Sequence, residues 1–217
     1  ALVGPNAGGK STLFNAIAGI QDIVHGSIFV NGLPPKDSKG SISYIPQREN
    51  VNWRFSLTAQ EVVDLGLVKN NSLLAFSRKG SLEKVRSALE RVDMWNYKDQ
   101  LISQMSGGQR QRVFIARALC QEANILLLDE AFSGVDVASQ FGLIDMLREL
   151  KEQGKTIIIA THDLNTLADR FDEVICLNRH VCAQGSPDTA FTPAVLEELY
   201  GSHPGMFLSH SLGHHHD

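Results

Sequence analysis

The chain has no apolar run that could cross a bilayer. Its longest strand-like apolar stretches, Ile125 to Leu128 and Ile157 to Ala160, fall far short of the roughly 20 residues a spanning helix needs. Any work at a membrane therefore has to go through a partner. A basic excess is also missing: 20 Lys and Arg stand against 24 Asp and Glu, a formal charge of -4, so no nucleic-acid footprint is expected. Cysteine is scarce. Cys120, Cys176 and Cys182 form no CxxC pair, and the expected state is buried thiols in a reducing compartment rather than a disulfide or a metal cluster. No signal-peptide pattern opens the chain. What remains is 217 residues, 43% hydrophobic and 20% charged, the balance of a folded globular protein.

Strand and helix signals alternate along much of it. Residues 1–3 end a strand, a Gly-rich loop follows, and a helix is predicted from Lys10 to Ala18. Gly26 to Asn31 alternates like a strand, and Ile42 to Ile45 is a short one closed by Pro46. Thr58 and Glu61 have the spacing of a capping box that opens a helix. Helical patterns over Ser81–Val92 and Ser106–Leu119 make the middle third, about 54 to 115, a helical insertion. Strand Ile125–Asp129, helix Val137–Gln153, strand Thr156–Thr161 and helix Leu164–Arg170 come next. A hairpin around Asn178-Arg179 and a helix capped by Thr192, with Pro193 at its first position, complete the pattern. This alternation predicts an α/β fold with a mostly parallel sheet covered by helices.

Three motifs carry chemistry. GPNAGGKST, from Gly4 through Pro5, Asn6, Ala7, Gly8, Gly9, Lys10 and Ser11 to Thr12, fits the phosphate-binding loop GxxxxGK[ST]. Glycines let backbone N–H groups close on phosphate, and the following helix adds the positive end of its dipole. Lys10 reaches β- and γ-phosphates, and Ser11 is a Mg²⁺ ligand. In ILLLDE, Ile125 to Glu130, a buried strand delivers Asp129 to the carboxyl edge of the sheet, where ligands of open α/β sheets bind. Asp129 is expected to hold Mg²⁺ and Glu130 to polarise a water; alone, the pair would equally suit a helix cap. In MSGGQRQR, Met105 to Arg112, Ser106, Gly107 and Gly108 open a second helix with a second anion-attracting end. Two such sites in one chain suit two copies, each closing its serine-glycine tip on the other's nucleotide. An ordinary N-cap is the plainer alternative.

The order of these motifs resembles the nucleotide-binding domain of the ABC transporter superfamily over residues 1 to about 185. The phosphate loop is followed by Gln47 in YIPQ, the SGGQ signature, ILLLDE, Ser133-Gly134-Val135-Asp136 and His162 in ATHD. Met105 stands where leucine is usual, a change of little consequence for packing volume. The resemblance implies a P-loop NTPase core of the RecA type in two parts, 1–53 and 116–185, a helical subdomain at 54–115 and a C-terminal helix and tail at 186–217. It implies ATP and Mg²⁺ as cofactors, Mg²⁺ being held by Ser11, Gln47 and Asp129. Glu130 is then the general base, Gln47 the sensor of water and of the membrane subunit, and His162 the γ-phosphate contact. Ser106, Gly107, Gly108, Gln109 and Asp136 act across a dimer of nucleotide-binding subunits. Relatives carry an antiparallel β segment and an adenine-stacking aromatic before the phosphate loop. Their absence from this sequence, which starts at Ala1, leads to the expectation of weak nucleotide binding and exposed apolar core surface.

The stretch Pro46 to Leu67, PQRENVNWRFSLTAQEVVDLGL, is similar to ATPases of manganese, zinc and iron uptake systems. In the family this region borders the groove for the transmembrane permease, and Trp53, Arg54 and Phe55 suit such a contact; packing within the subdomain is the alternative. The resemblance thus implies a peripheral subunit on the cytoplasmic face of the plasma membrane. Its partners are a permease and a substrate-binding protein, with no nucleic acid. Import of another substrate, or a soluble ABC-type ATPase on DNA or ribosomes, stays open. The single phosphate loop and short insertion favour transport, and Glu130 with His162 argues against a non-hydrolysing scaffold. In the tail, His203, His210, His214, His215, His216 and Asp217 are candidate transition-metal ligands, or a purification-tag remnant, or an unstructured end.

Overall fold

The computed structural model describes residues 1–38, 40–47, 56–67, 78–133, 135–162 and 171–201. The sequence expectations for Trp53, Arg54, Phe55, Gly134, the helix at 164–170 and the His-containing tail lie outside the described residues. Among the described residues the strands are β1 (Leu2–Val3), β2 (Ile42–Ile45), β3 (Ile125–Asp129), β4 (Thr156–Thr161), β5 (Val174–Asn178) and β6 (His180–Gly185). They form one sheet in the order β2-β3-β4-β1-β5-β6. β1 runs parallel to β4 and β5, β2 runs parallel to β3, and β5 runs antiparallel to β6. The fold is α/β with a mostly parallel sheet, as the strand-helix alternation predicts.

Contacts divide the chain into two compact units. One comprises Ala1–Leu13 with Ile159–Asp217. Its core is Val3, Val174, Cys176, Ala190 and Leu199, with Phe171, Cys182, Ala183 and Tyr200 partly buried against it. Helices α6 (Pro187–Ala190) and α7 (Pro193–Tyr200) pack on the β5–β6 hairpin. α7 starts where Thr192 accepts from the Val195 amide and Pro193 fills the first turn, a position that needs no backbone donor.

The other unit is Phe14–Ile158. Here α2 (Ala59–Asp64), α3 (Arg78–Arg91) and α4 (Gly107–Cys120) pack on one another. α4 buries Val113, Phe114, Ile115, Ala116 and Ala118. The 3₁₀ turn after α2 lies so close to α4 that a Cβ on Gly66 would sit 2.4 Å from the Arg117 carbonyl oxygen. α4 is tied to β2 by Gln121 Nε2 donating to Ile42 O at 2.9 Å and by Arg117 donating to Tyr44 O at 3.1 Å. α5 (Val137–Glu152) follows β3, and its start is capped by Asp136 accepting from the Ser139 amide at 2.9 Å.

The strand expected at Gly26–Asn31 does not form. That stretch has only an isolated bridge between Val30 and Leu33. An alternating pattern needs a partner strand to satisfy its backbone groups, and none is beside it among the described residues. Ile20, Val24, Phe29 and Leu33 are accordingly exposed, at 67%, 86%, 65% and 51%.

The capping box at α2 forms as its spacing predicts. The Glu61 amide donates to Thr58 Oγ1 at 3.3 Å and the Thr58 amide donates to Glu61 Oε2 at 2.8 Å. Replacing Thr58 with Ala should lower stability by about 1 kcal/mol. Urea unfolding checks this: the midpoint should fall with an unchanged slope, and an unchanged midpoint would show that water caps the helix equally well.

Candidate active site

In the first unit the loop Gly4–Gly9 leaves β1 and runs into α1 (Lys10–Ile17). It is held from behind by β5 and the turn after it. The Arg179 amide donates to Gly8 O at 2.8 Å, and the Gly4 amide donates to Thr161 O at 3.4 Å. A Cβ on Gly4 would lie 1.9 Å from the Leu177 carbonyl oxygen, and one on Gly8 would lie 2.9 Å from Pro5 O and 3.0 Å from Leu177 O. These two glycines are thus required by packing against the protein's own backbone, whatever the loop binds. Gly9 has φ 103 and Ala7 has φ 61. Ala7 is therefore a non-glycine residue in the left-handed region, where the strain of such a position often accompanies function.

Lys10 is 5% exposed, and its ammonium donates to Gly4 O at 2.8 Å and to Pro5 O at 3.0 Å. The side chain thus folds back over the loop and places its charge among the backbone groups that would surround an anion. Ser11 and Thr12 follow in the first turn of α1. The register Val3↔Thr161 makes the phosphate loop and His162 the next residues after paired positions of parallel strands. His162 is exposed, and its carbonyl accepts from the Tyr200 hydroxyl at 3.2 Å.

In the second unit the register Ile45↔Leu128 sets the level of the other candidates. Two residues beyond it on each strand, Gln47 Nε2 donates to Glu130 Oε2 at 2.9 Å. Parallel pairing makes this meeting possible, since residues equally far past a register pair emerge at the same edge. Glu130 has φ 49, a strained conformation that turns the chain immediately after the strand. Asp129 is 1% exposed, and its Oδ2 accepts from the Tyr44 hydroxyl at 3.1 Å. Its Oδ1 is buried with no hydrogen-bond partner. A buried carboxylate oxygen without a donor is costly unless a cation or water completes it, so Asp129 fits a Mg²⁺ ligand. Burial first, and then the Asp129 charge and hydrogen bond, hold the Tyr44 phenol well above its ordinary pKa. Tyr44 therefore stays a donor to this carboxylate.

The signature segment is ordered by its own capping box. Ser106 Oγ accepts from the Gln109 amide at 3.2 Å, and Gln109 Oε1 accepts from the Ser106 amide at 2.9 Å. The Ser106 oxygen is thus engaged within its helix, while its proton can still be donated. Gly107 lies with Pro46, Arg110, Asp129, Glu130 and Ser133 around one small cleft. Gly108 is buried, and a Cβ there would lie 2.9 Å from Ser139 Cβ, so this glycine permits close packing on α5. Met105 is 3% exposed, an apolar side chain in an apolar place.

Three participants escape motif reading. Tyr44, the donor to Asp129, lies in YIPQ, where it reads as a strand residue. The Leu177 carbonyl and Arg179 amide that brace the loop are backbone groups about 170 residues away in sequence, and no side-chain pattern marks them.

Because its neighbour is backbone rather than a flexible side chain, Gly4→Ala should destabilise the protein by about 3 kcal/mol or more, the upper range for overpacking. Thermal or urea unfolding of that variant checks this. Wild-type stability would show that β5 can retreat from the loop.

Comparison with known proteins agrees with the geometry. The ABC transporter family matches residues 1–133. The manganese transport system ATP-binding protein MntB of Bacillus subtilis is 42% identical over 200 residues, covering 92% of this chain and 80% of the relative. The zinc transport system ATP-binding protein TroB of Treponema pallidum is 42% identical over 203 residues, covering 93% and 76%. The chelated iron transport protein YfeB of Yersinia pestis is 37% identical, covering 93% and 69%. Among solved structures, cbiO1 of Clostridium perfringens, part of an ABC transporter complex, superposes with a TM-score of 0.74 at 29% identity, covering 94% and 84%. A dimeric bacterial ABC transporter cassette gives 0.73 at 26% identity, covering 86% and 84%. With a phosphate loop, a Gln47–Glu130 pair at the sheet edge and relatives of this similarity, the chain belongs to the ABC transporter family as an ATP-binding, ATP-hydrolysing subunit.

Proposed function

We propose that this subunit powers the import of a transition-metal ion of the manganese, zinc or iron class. The observation that carries the cargo class is the similarity, across most of the chain, to ATPases of manganese, zinc and iron transport from separate organisms. The stretch Pro46–Leu67 supports the same reading. Among the described residues no helix is long and apolar enough to cross a membrane, so transport calls for a permease. Residues 54–115 are the helical subdomain facing it, contact falls near Gln47–Leu67, and the subunit sits peripherally on the cytoplasmic side. A substrate-binding protein completes the system.

Phosphoryl transfer is chiefly positioning and charge stabilisation. In this reading the amides of Gly4–Gly9, with Lys10, Ser11 and Thr12, hold the triphosphate. Asp129 holds Mg²⁺ together with Ser11 and Gln47, and the ion supplies charge neutralisation at the phosphate oxygens. Glu130 accepts the proton of the attacking water, and Gln47, already bonded to Glu130, orients that carboxylate. His162 contacts the γ-phosphate. A second copy supplies Ser106, Gly107, Gly108 and Gln109 at the tip of α4, with Asp136 linking the two sites. The dimeric cassette among the structural relatives supports that arrangement.

Reconstitution with the permease and binding protein of the same system, in vesicles supplied with ATP on the subunit's side, tests the cargo. The expected result is ATP-dependent accumulation of radiolabelled manganese, zinc or iron. Accumulation of none of the three, with ATP hydrolysis intact and stimulated by an organic solute, would refute metal import.

A further inference from the structure

Outside the nucleotide machinery, three side chains of different ligand type converge on the surface of the first unit. His180 opens β6, Cys182 lies two residues on, and Glu198 is on α7. Their ligand atoms all lie within 4.8 Å of one another. His180 Nε2 is 2.8 Å from Glu198 Oε1, and Cys182 Sγ donates to the same oxygen at 3.2 Å.

The local structure explains the convergence. His180 and Cys182 both reach the Glu198 carboxylate from β6. Leu177 pairs with Val181 and Cys176 with Ala183, which leaves Cys182 as the extra residue of a bulge, a device that re-aims side chains. α7 is drawn to the hairpin by Asn178 Nδ2 donating to Glu198 O at 3.2 Å. Cys182 packs its stem against the core formed by Val174, Cys176 and Leu199, while its sulfur reaches the surface carboxylate.

We propose that His180, Cys182 and Glu198 form a binding site for a divalent cation of the zinc class. Imidazole, thiolate and carboxylate are the three zinc ligand types, and a water fills the fourth tetrahedral position. The thiolate selects against magnesium and calcium, and the affinity order places manganese well below zinc and cobalt. Zinc bond lengths imply ligand separations of about 3.5 Å, so the three exposed or half-buried side chains need only spread slightly. On binding, the S–H bond of Cys182 breaks, its electron pair forms the sulfur–metal bond, and the proton passes to solvent. Without an ion, slight burial and the Glu198 carboxylate raise the pKa of this thiol.

The position gives the site a consequence for the machinery. His180 follows Arg179, whose amide holds Gly8 of the phosphate loop. Glu198 precedes by two residues Tyr200, whose hydroxyl holds the His162 carbonyl. An ion here joins the hairpin that braces the loop to the helix that braces the segment after β4. The inference does not rest on which ion the system carries.

Cobalt(II) titration of the full chain tests it, because only a thiolate ligand gives an intense sulfur-to-cobalt charge-transfer band in the near ultraviolet. The tail histidines contain no sulfur and cannot produce that band. Cys120 and Cys176 are buried with thiols pushed up to about 11, and both remain in every variant. The band should saturate at one cobalt per chain, be bleached by zinc and not by equimolar manganese, vanish in Cys182→Ser, and weaken at least tenfold in apparent affinity in Glu198→Gln and His180→Ala. No band in the wild type, a band that survives Cys182→Ser, or displacement by manganese as readily as by zinc would overturn the proposal and leave the cluster an ordinary hydrogen-bonded surface group.

Discussion

The close approach of the phosphate loop to the backbone of β5 is the constraint on which the candidate residues of the first unit depend. An anion-binding loop works by aiming N–H groups inward, which requires a tight path, and a tight path requires something rigid behind it. Here the support is main chain. The Leu177 carbonyl leaves no space for a Cβ at Gly4 or Gly8, and the Arg179 amide clamps Gly8 O at 2.8 Å. The C-terminal hairpin therefore supports the phosphate loop although it contains none of the family's motifs. The buried Lys10 ammonium rests against the same loop's carbonyls, so its charge is oriented before any ligand arrives.

In the second unit the candidate residues depend on strand register. Pairing of Ile45 with Leu128 leaves Gln47 and Glu130 at one level and in hydrogen-bond contact. Asp129 remains in the buried end of its strand, with Tyr44 on one oxygen and the other without a partner. Two adjacent carboxylates thus have different surroundings. Asp129 is enclosed and short of a positive partner, while Glu130 is half-buried, turned out by a positive φ and steered by an amide. That difference agrees with one holding a cation and the other acting on water.

Much of this was legible in the sequence because the motifs are local. A strand ending in Asp129-Glu130, a helix opened by Thr58 and Glu61, and a hairpin around Asn178-Arg179 each declare themselves within a few residues. The signature's own SxxQ spacing also foretells the Ser106–Gln109 box, although the glycines beside it draw attention to anion binding instead. Gly26–Asn31 misleads because alternation records a preference for pairing and cannot supply the partner. The packing reason for Gly4, Gly8 and Gly108 was illegible, since each depends on atoms of a distant segment. The His180–Cys182–Glu198 cluster was hidden likewise. Spaced along the chain, its members look like strand and helix surface, and Cys182 reads as one more buried thiol until the bulge and α7 bring the three together.

In the proposed mechanism Glu130, oriented by Gln47, is the base of ATP hydrolysis. The most direct measurement compares ATP binding and single-turnover hydrolysis by the wild type and Glu130→Gln, assembled with the permease. The variant should bind ATP as the wild type does and lose about 10²- to 10⁴-fold in the hydrolytic rate, the range for removing a general base. A Glu130→Gln subunit that hydrolyses bound ATP at the wild-type rate would contradict the account.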